Sequence, residues 1–312
     1  MDEVVEKVAV TGAGVMGSGL AQLFAQAGYW VGMHDVREEA LERALHRARS
    51  NLELQAEMGW LSQKEAEEAL VRIEASTDLS RALEQAGLVI EAVPEDLELK
   101  KRVFRELGEK ASPHAVLASN TSTFNIMDEV EDDIAPRVLI AHFFNPPQLV
   151  PLVEVVVGER TGEKTVETTL SLLRDAGKQP LLLRRYLPGF VVNRFQLAIN
   201  AMAYMILSEG FLSPEEIDLA VESSIGLRLS TTGPFATMDL GGLDVVAASA
   251  RTMGVEPPPP LQERVERGEL GVKAGKGFYD YAGTSQEEIL LRRDRRLMLM
   301  LEAWNRGREP HL

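Results

Sequence analysis

The chain has 312 residues, 45% hydrophobic and 26% charged, the mixture expected of a folded protein with one large or two moderate domains. A net charge of -15 offers no basic field to a nucleic acid, and no apolar run is long enough to span a membrane. Cysteine is absent and MDEVVEKVAV lacks the features of a signal peptide, which excludes disulfide or thiolate chemistry and fits a cytoplasmic compartment.

KVAV at 7–10 predicts a first strand, and TGAGVMGSGLAQLFAQAG follows it. Gly12, Gly14 and Gly17 have the GxGxxG spacing. In that pattern the first glycine permits a tight turn, the second lets a pyrophosphate approach the backbone, and the third lets the helix pack on the sheet. Val15 and Met16 lie inside the same turn and belong to the candidate cofactor-binding set. Leu20, Phe24 and Ala27 continue a helical apolar face that Gly28 stops. YWVGMH is the second strand and ends at Asp35, where an acid meets the adenosine ribose about 20 residues past the glycines. A carboxylate there accepts from both ribose hydroxyls and repels a 2'-phosphate, so NAD is favoured over NADP, with FAD the lesser alternative. Arg37 softens the preference, and Asp35 can at the same time cap the helix DVREEALERALHRA.

Residues 36–70 read as helical with a break at GWLS. GLVIEAV (87–93) is a buried strand ended by Pro94, and DLELKKRVFRELGEKA is an amphipathic helix. AVLAS (115–119) is a strand, and NTSTFNI turns into another helical segment. Residues 138–141 form a strand ending at His142, and LVEVVV (152–157) forms the next. A helix over TGEKTVETTLSLLRDAG leads to a last strand, QPLLLRR. This alternation predicts an α/β, doubly wound, Rossmann-type sheet domain over 1–187. From 188 to 312 the pattern is all-helical. SPEEIDLAVESS starts with a capping box, Ser213 and Glu216, around Pro214. LGGLDVVAASARTM reads as one helix, PPPP as a stiff connector, GELGVKAGKGFYDY as non-regular, and EEILLRRDRRLMLMLEAW as a closing helix. A second domain of this kind often completes a dinucleotide site and supplies a subunit interface.

The chemistry concentrates in LIAHFFNPPQLVPLVE. His142 stands at a strand end, where parallel sheets bind ligands, and NPP keeps the chain from turning at once into a helix. Glu154 sits between valines in an apolar strand, which is costly without a partner, and His142 is its natural partner. Such a pair fixes the imidazole tautomer and suits a base that takes a hydroxyl proton while hydride leaves for a nicotinamide. Asn120 and Ser122 follow another strand end and either orient a substrate oxygen or cap the next segment. Asn193, Gln196 and Asn200 form a polar stripe on an apolar helix, facing a cleft or a subunit neighbour.

GAGVMGSG, IEAVPEDLELKKRVFREL, ASNTS, HFFNPPQLVPLVEVV, PGFVVNR and GELGVKAGKGFYDY, in this order, resemble the L-3-hydroxyacyl-CoA dehydrogenase family over nearly the whole chain. The resemblance implies that His142 is the general base, that Glu154 orients it, and that Ser122 and Asn193 contact the substrate oxygen. It places Glu95 and Asn120 on the cofactor side. It implies NAD as cofactor, a helical domain that forms a homodimer, and reversible oxidation of an L-3-hydroxyacyl thioester to its 3-keto form. Short-chain CoA-using members carry lysines where this chain has Met58 and Trp60, with Lys64 the first lysine after them. Other stretches resemble the L-gulonate 3-dehydrogenase, or lambda-crystallin, branch and pyridine-carboxylate dehydrogenases. The substrate is therefore an acyl-CoA or, alternatively, a 3-hydroxy acid without CoA, for which Arg228 is a candidate carboxylate anchor.

Overall fold

Eight short segments pair into one sheet in the computed structural model, which describes residues 5–307. The strands are β1 (Lys7–Thr11), β2 (Trp30–His34), β3 (Ile73–Ser76), β4 (Leu88–Glu91), β5 (Val116–Ser119), β6 (Val138–Phe143), β7 (Leu152–Val156) and β8 (Gln179–Leu183). Their order is β3-β2-β1-β4-β5-β6-β7-β8. Every neighbouring pair is parallel except β6 and β7. The first six have the doubly wound order of a dinucleotide-binding sheet. β4, β5 and β6 are buried at every position, as strands covered on both faces must be.

Helices α1 (Val15–Gln26), α2 (Glu38–Glu57), α3 (Gln63–Val71), α4 (Leu79–Leu83), α5 (Leu97–Lys110) and α6 (Glu163–Asp175) cover the sheet. Side chains alternate between the two faces of a strand, so Ile90 joins Val10, Leu20 and Phe24 in one core, and Val89 joins Phe104, Leu107 and Leu117 in the other. Local chemistry sets the helix ends. Asp96 caps α5 by accepting from the Leu99 amide, and Ser62 and Glu65 make a reciprocal capping box on α3. Gly28, at φ +97°, turns the chain from the end of α1 into β2.

Several sheet-unit details differ from the sequence expectation, among them α4, which falls where no element was expected. β3 has one buried side chain, Ile73, so this edge strand has no apolar alternation to announce it. The segment after NTSTFNI is a 3-10 turn at Ile126–Asp128 rather than an α-helix; just before it the Glu95 carboxylate accepts the Ser122 and Thr123 amides and the Thr121 hydroxyl accepts the Phe124 amide. β6 runs one residue past His142, and the Phe143 amide donates to Asn120 Oδ1. β7 is antiparallel to β6, which a single sequence with strong strands on both sides does not reveal.

The chain divides into two compact units between Ala198 and Ile199, inside α7 (Val192–Ser208). The sequence boundary at 187/188 precedes this point. The first turn of α7 stays with the sheet unit because Val191 and Val192 donate their amides to Glu154. The second unit contains α8 (Pro214–Ala220), α9 (Leu227–Leu229), α10 (Pro234–Gly241), α11 (Leu243–Thr252), α12 (Pro259–Glu266) and α13 (Gln286–Arg306). Ser213 and Glu216 form the expected capping box, and a π-helical stretch, Val221–Gly226, joins α8 to α9. LGGLDVV is broken at Gly242, at φ +91°, and Pro259 and Pro260 open α12, where missing amides cost nothing. The non-regular tail is organised by buried Asp239, which accepts from the Phe278 and Tyr279 amides and the Tyr281 hydroxyl. A Cβ on Gly277 would lie 2.2 Å from Asp239 Oδ1, so this close approach requires glycine. Burial and the adjacent Asp239 push the Tyr281 phenol well up.

Candidate active site

β1 hands the chain to α1 through the glycine turn. Gly12 adopts φ +99°, and a Cβ there would meet the Ala92 carbonyl oxygen at 2.6 Å. A Cβ on Gly17 would lie 1.7 Å from the Gly12 carbonyl oxygen, whereas one on Gly14 would meet nothing within 4 Å. The first and third glycines are thus demanded by the fold, and the second leaves open space at the start of α1. Gly14 and Val15 are exposed there, and the free amides of that helix end suit an anion. Asp35, at the end of β2, accepts from the Ala13 amide at 2.9 Å and the Arg37 amide at 3.1 Å. The N-cap of α2 is Arg37, so Asp35 is not that cap. It instead ties the glycine turn to β2. The Arg37 guanidinium is mostly exposed and 3.9 Å from Asp35, a weak contact. This turn, the open helix end and an acid beside them fit a dinucleotide, with Gly14, Val15 and Asp35 available to hold it in a turn that Gly12 and Gly17 shape.

Beyond the carboxyl ends of β4, β5 and β6 lies a cleft of about 320 Å³ lined by Met16, Glu95, Asn120, Ser122, His142 and Phe144, among others. A larger hollow of about 1110 Å³ lies at the amino ends of the strands, among Lys7, Trp30, His114 and Lys164. The smaller one is the candidate site, since ligands of such sheets bind at the carboxyl ends and the converging polar groups are there.

His142 and Glu154 are direct partners across the antiparallel β6–β7 pair. Directly opposed residues point to the same face, so the carboxylate meets the imidazole by register alone. His142 Nδ1 is 2.9 Å from Glu154 Oε2. Glu154 is fully buried, and its other oxygen accepts the Val191 and Val192 amides at 2.8 and 3.0 Å. Burial pushes its carboxyl up, but the bonds from His142 and the two amides outweigh this and hold it below the ordinary value. Phe144 and Phe190 pack on the imidazole at 4.5 and 5.3 Å between ring centroids. Phe190 is buried at φ +48°, a conformation rare for a bulky residue, in the PGF turn that leads into α7.

The loop 120–123 is fastened from the other side. Glu95 Oε1 accepts from the Thr121 hydroxyl and from the Ser122 and Thr123 amides. Burial raises the Glu95 carboxyl, but the bond from Thr121, the Lys100 charge and the bond from Thr123 outweigh this and hold it below the ordinary value. Asn193 Nδ2 donates to the Ser122 carbonyl at 3.3 Å, which brings the start of α7 to the same loop. Lys178, buried, donates to the Pro147 and Val150 carbonyls and so fixes the loop after His142; burial pulls its ammonium down.

Residues 7–186 match the family model for the 3-hydroxyacyl-CoA dehydrogenase NAD binding domain, and residues 189–281 match the C-terminal domain model of the same family. The chain belongs to the 3-hydroxyacyl-CoA dehydrogenase family. It is an NAD-dependent oxidoreductase acting on a hydroxyl group, with a His–Glu pair in its cleft. It is 37% identical over 285 residues to the "Probable 3-hydroxybutyryl-CoA dehydrogenase" of Bacillus subtilis, covering 89% of this chain and 98% of that one. It is 30% identical over 302 residues to the 5-formyl-3-hydroxy-2-methylpyridine 4-carboxylate 5-dehydrogenase of Mesorhizobium japonicum, covering 95% and 97%. The crystal structure of a 3-hydroxyacyl-CoA dehydrogenase from Archaeoglobus fulgidus superposes with a TM-score of 0.79 at 33% identity, covering 96% and 99%.

The cleft thus brings together Met16, Glu95, Asn120, Ser122 and His142, with Glu154 behind the imidazole and Asn193 beside Ser122. Gly12, Gly14, Val15, Gly17, Asp35 and Arg37 form the glycine-turn end. Arg228, in the second unit, is exposed and donates weakly to the Ser224 carbonyl of its own helix. Three residues of the site escaped the sequence reading. Lys100 and Glu91 are fully buried and paired at 2.8 Å, and Phe190 packs on the imidazole. Glu91 carried the same signal as Glu154, a carboxylate inside an apolar strand, in VIEAV. Among the described residues no helix is long and apolar enough to cross a membrane, and no cluster of three or more metal-binding side chains occurs.

Proposed function

We propose that the chain catalyses reversible oxidation of the 3-hydroxyl of a short-chain L-3-hydroxyacyl-CoA to the 3-keto thioester. The observation that carries this reading is the buried carboxylate of Glu154 bonded to His142 Nδ1 at the rim of the cleft. With Nδ1 donating to Glu154, Nε2 is left as the acceptor for the substrate hydroxyl proton. Glu154 stabilises the imidazolium that forms, and its own place is fixed by two backbone amides. Ser122 and Asn193 hold the substrate oxygen and support the carbonyl that develops there. NAD, when bound, accepts the hydride. Gly14, Val15 and Met16, in the turn shaped by Gly12 and Gly17, would hold its phosphates, Asp35 with Arg37 alongside would hold its ribose, and Glu95 and Asn120 would line its inner end. The helical unit binds substrate and forms a homodimer.

A second reading replaces the thioester with a 3-hydroxy acid lacking CoA. It is favoured by the relative from Mesorhizobium japonicum, whose named substrate is a pyridine carboxylate, and by exposed Met58 and Trp60 where an anionic CoA would need lysines. Arg228 is then the carboxylate anchor. Both readings share the chemistry at the carbon. Steady-state kinetics with NAD on L-3-hydroxybutyryl-CoA, free L-3-hydroxybutyrate, L-gulonate and L-carnitine separate them. A kcat/KM at least tenfold higher for the thioester is expected. A free acid at the top of the series replaces the first reading with the second, and activity on none of them removes both.

A further inference from the structure

Glu91 is an ionisable group at the site for which the reaction above has no use. It is fully buried at the carboxyl end of β4, and so is the Lys100 ammonium it binds at 2.8 Å. Burying such a pair is seldom a source of stability, so its retention calls for another reason. The bonds around it close a ring. Glu91 Oε1 takes the Lys100 ammonium and the Val93 amide, and Glu91 Oε2 takes the Ser119 hydroxyl at 2.6 Å. Ser119 Oγ accepts the Thr121 amide, the Thr121 hydroxyl donates to Glu95 Oε1, and Glu95 Oε2 returns to Lys100 at 3.2 Å. The ring joins the ends of β4 and β5 to α5 and passes through Thr121, next to Ser122.

We propose that Glu91 and Ser119 are positioning residues that set the place of Ser122 in the cleft. This rests on the reading of Ser122 as a substrate contact. Neither residue lines the cleft. Their effect passes through the ring, because Thr121 is held on one side by Ser119 and on the other by Glu95, and Ser122 is the next residue. A buried, fully bonded carboxylate has few alternative arrangements, so Ser122 stands ready before substrate arrives.

The test is a double-mutant cycle on kcat in the full-length protein, with NAD dissociation constants and melting temperatures measured in parallel. Ser119→Ala and Glu91→Gln should each lower kcat roughly 5- to 50-fold and leave the NAD dissociation constant within about twofold. In a Ser122→Ala background neither should lower kcat further, since the group being positioned is gone. Ser119→Ala removes one hydroxyl and is the variant to trust if Glu91→Gln folds poorly. Penalties that add in full in the Ser122→Ala background would overturn the proposal and leave these residues structural. Wild-type kcat in Ser122→Ala alone would remove the role of Ser122 and this proposal with it, while His142→Gln tests the reaction separately.

Discussion

At the scale of single residues, the site rests on one imidazole and its carboxylate. His142→Gln keeps size and polarity but cannot take the proton, and should lower kcat by about 10² to 10⁴ while NAD still binds. Stopped-flow oxidation rates with NAD titrated in parallel check this; near-normal oxidation would return His142 to a structural role. Glu154→Gln should cost less, because an amide still bonds the ring but brings no charge to the imidazolium. Glu154 also makes a pH prediction. Its folded value lies below the ordinary 4.5, so the stability it contributes is complete above that value and is lost as pH falls through the lower, folded one. Urea unfolding of the wild type should therefore weaken more steeply below about pH 4.5 than that of Glu154→Gln. The proposed role of Asp35 is to favour NAD over NADP. NAD should bind at least about tenfold more tightly than NADP, a difference of about 1.4 kcal/mol, and Asp35→Ser should narrow the gap. Equal affinities by titration would contradict the role given to Asp35.

At the scale of elements, the glycine turn separates fold from function within six residues. Gly17→Ala puts a methyl group into the Gly12 carbonyl and should destabilise the sheet unit by at least about 1–3 kcal/mol. Gly14→Ala meets no protein atom and should leave the melting temperature almost unchanged while weakening NAD binding. Thermal melts with and without NAD distinguish the two effects; equal melting losses would show that Gly14 is structural as well. The same contrast explains what a sequence can disclose. β1, α1 and β2 were legible because glycine spacing, apolar alternation and a terminal acid are local signals. The His142–Glu154 pairing was legible because a carboxylate between valines must find a partner. The direction of β7 and the existence of β3 were not, since both are decided by neighbours far away in sequence. Lys100 looks like any lysine on the polar face of DLELKK until the fold turns it inward against Glu91.

At the scale of the whole molecule, α7 and α13 have no fully buried residue, although both are rich in large apolar side chains. Tyr204 is 71% exposed and Met298 69%, and Phe195, Met202 and Leu299 are also exposed. Apolar surface on this scale is what an interaction site presents, and the proposed homodimer would cover it. Light scattering at micromolar concentration should give twice the chain mass, and Met298→Glu with Leu299→Glu should lower it. A wild-type monomer would refute the dimer. Glu154 carries one more implication, for anyone who would recombine these parts. One of its oxygens is reserved for the amides of Val191 and Val192. A sheet domain excised at residue 187 would therefore be a damaged cassette, its acid stripped of two donors and its histidine left with an unsupported neighbour. Chimeras that graft a foreign helical half should be spliced after Ala198, so that the graft inherits a working dyad rather than having to rebuild one.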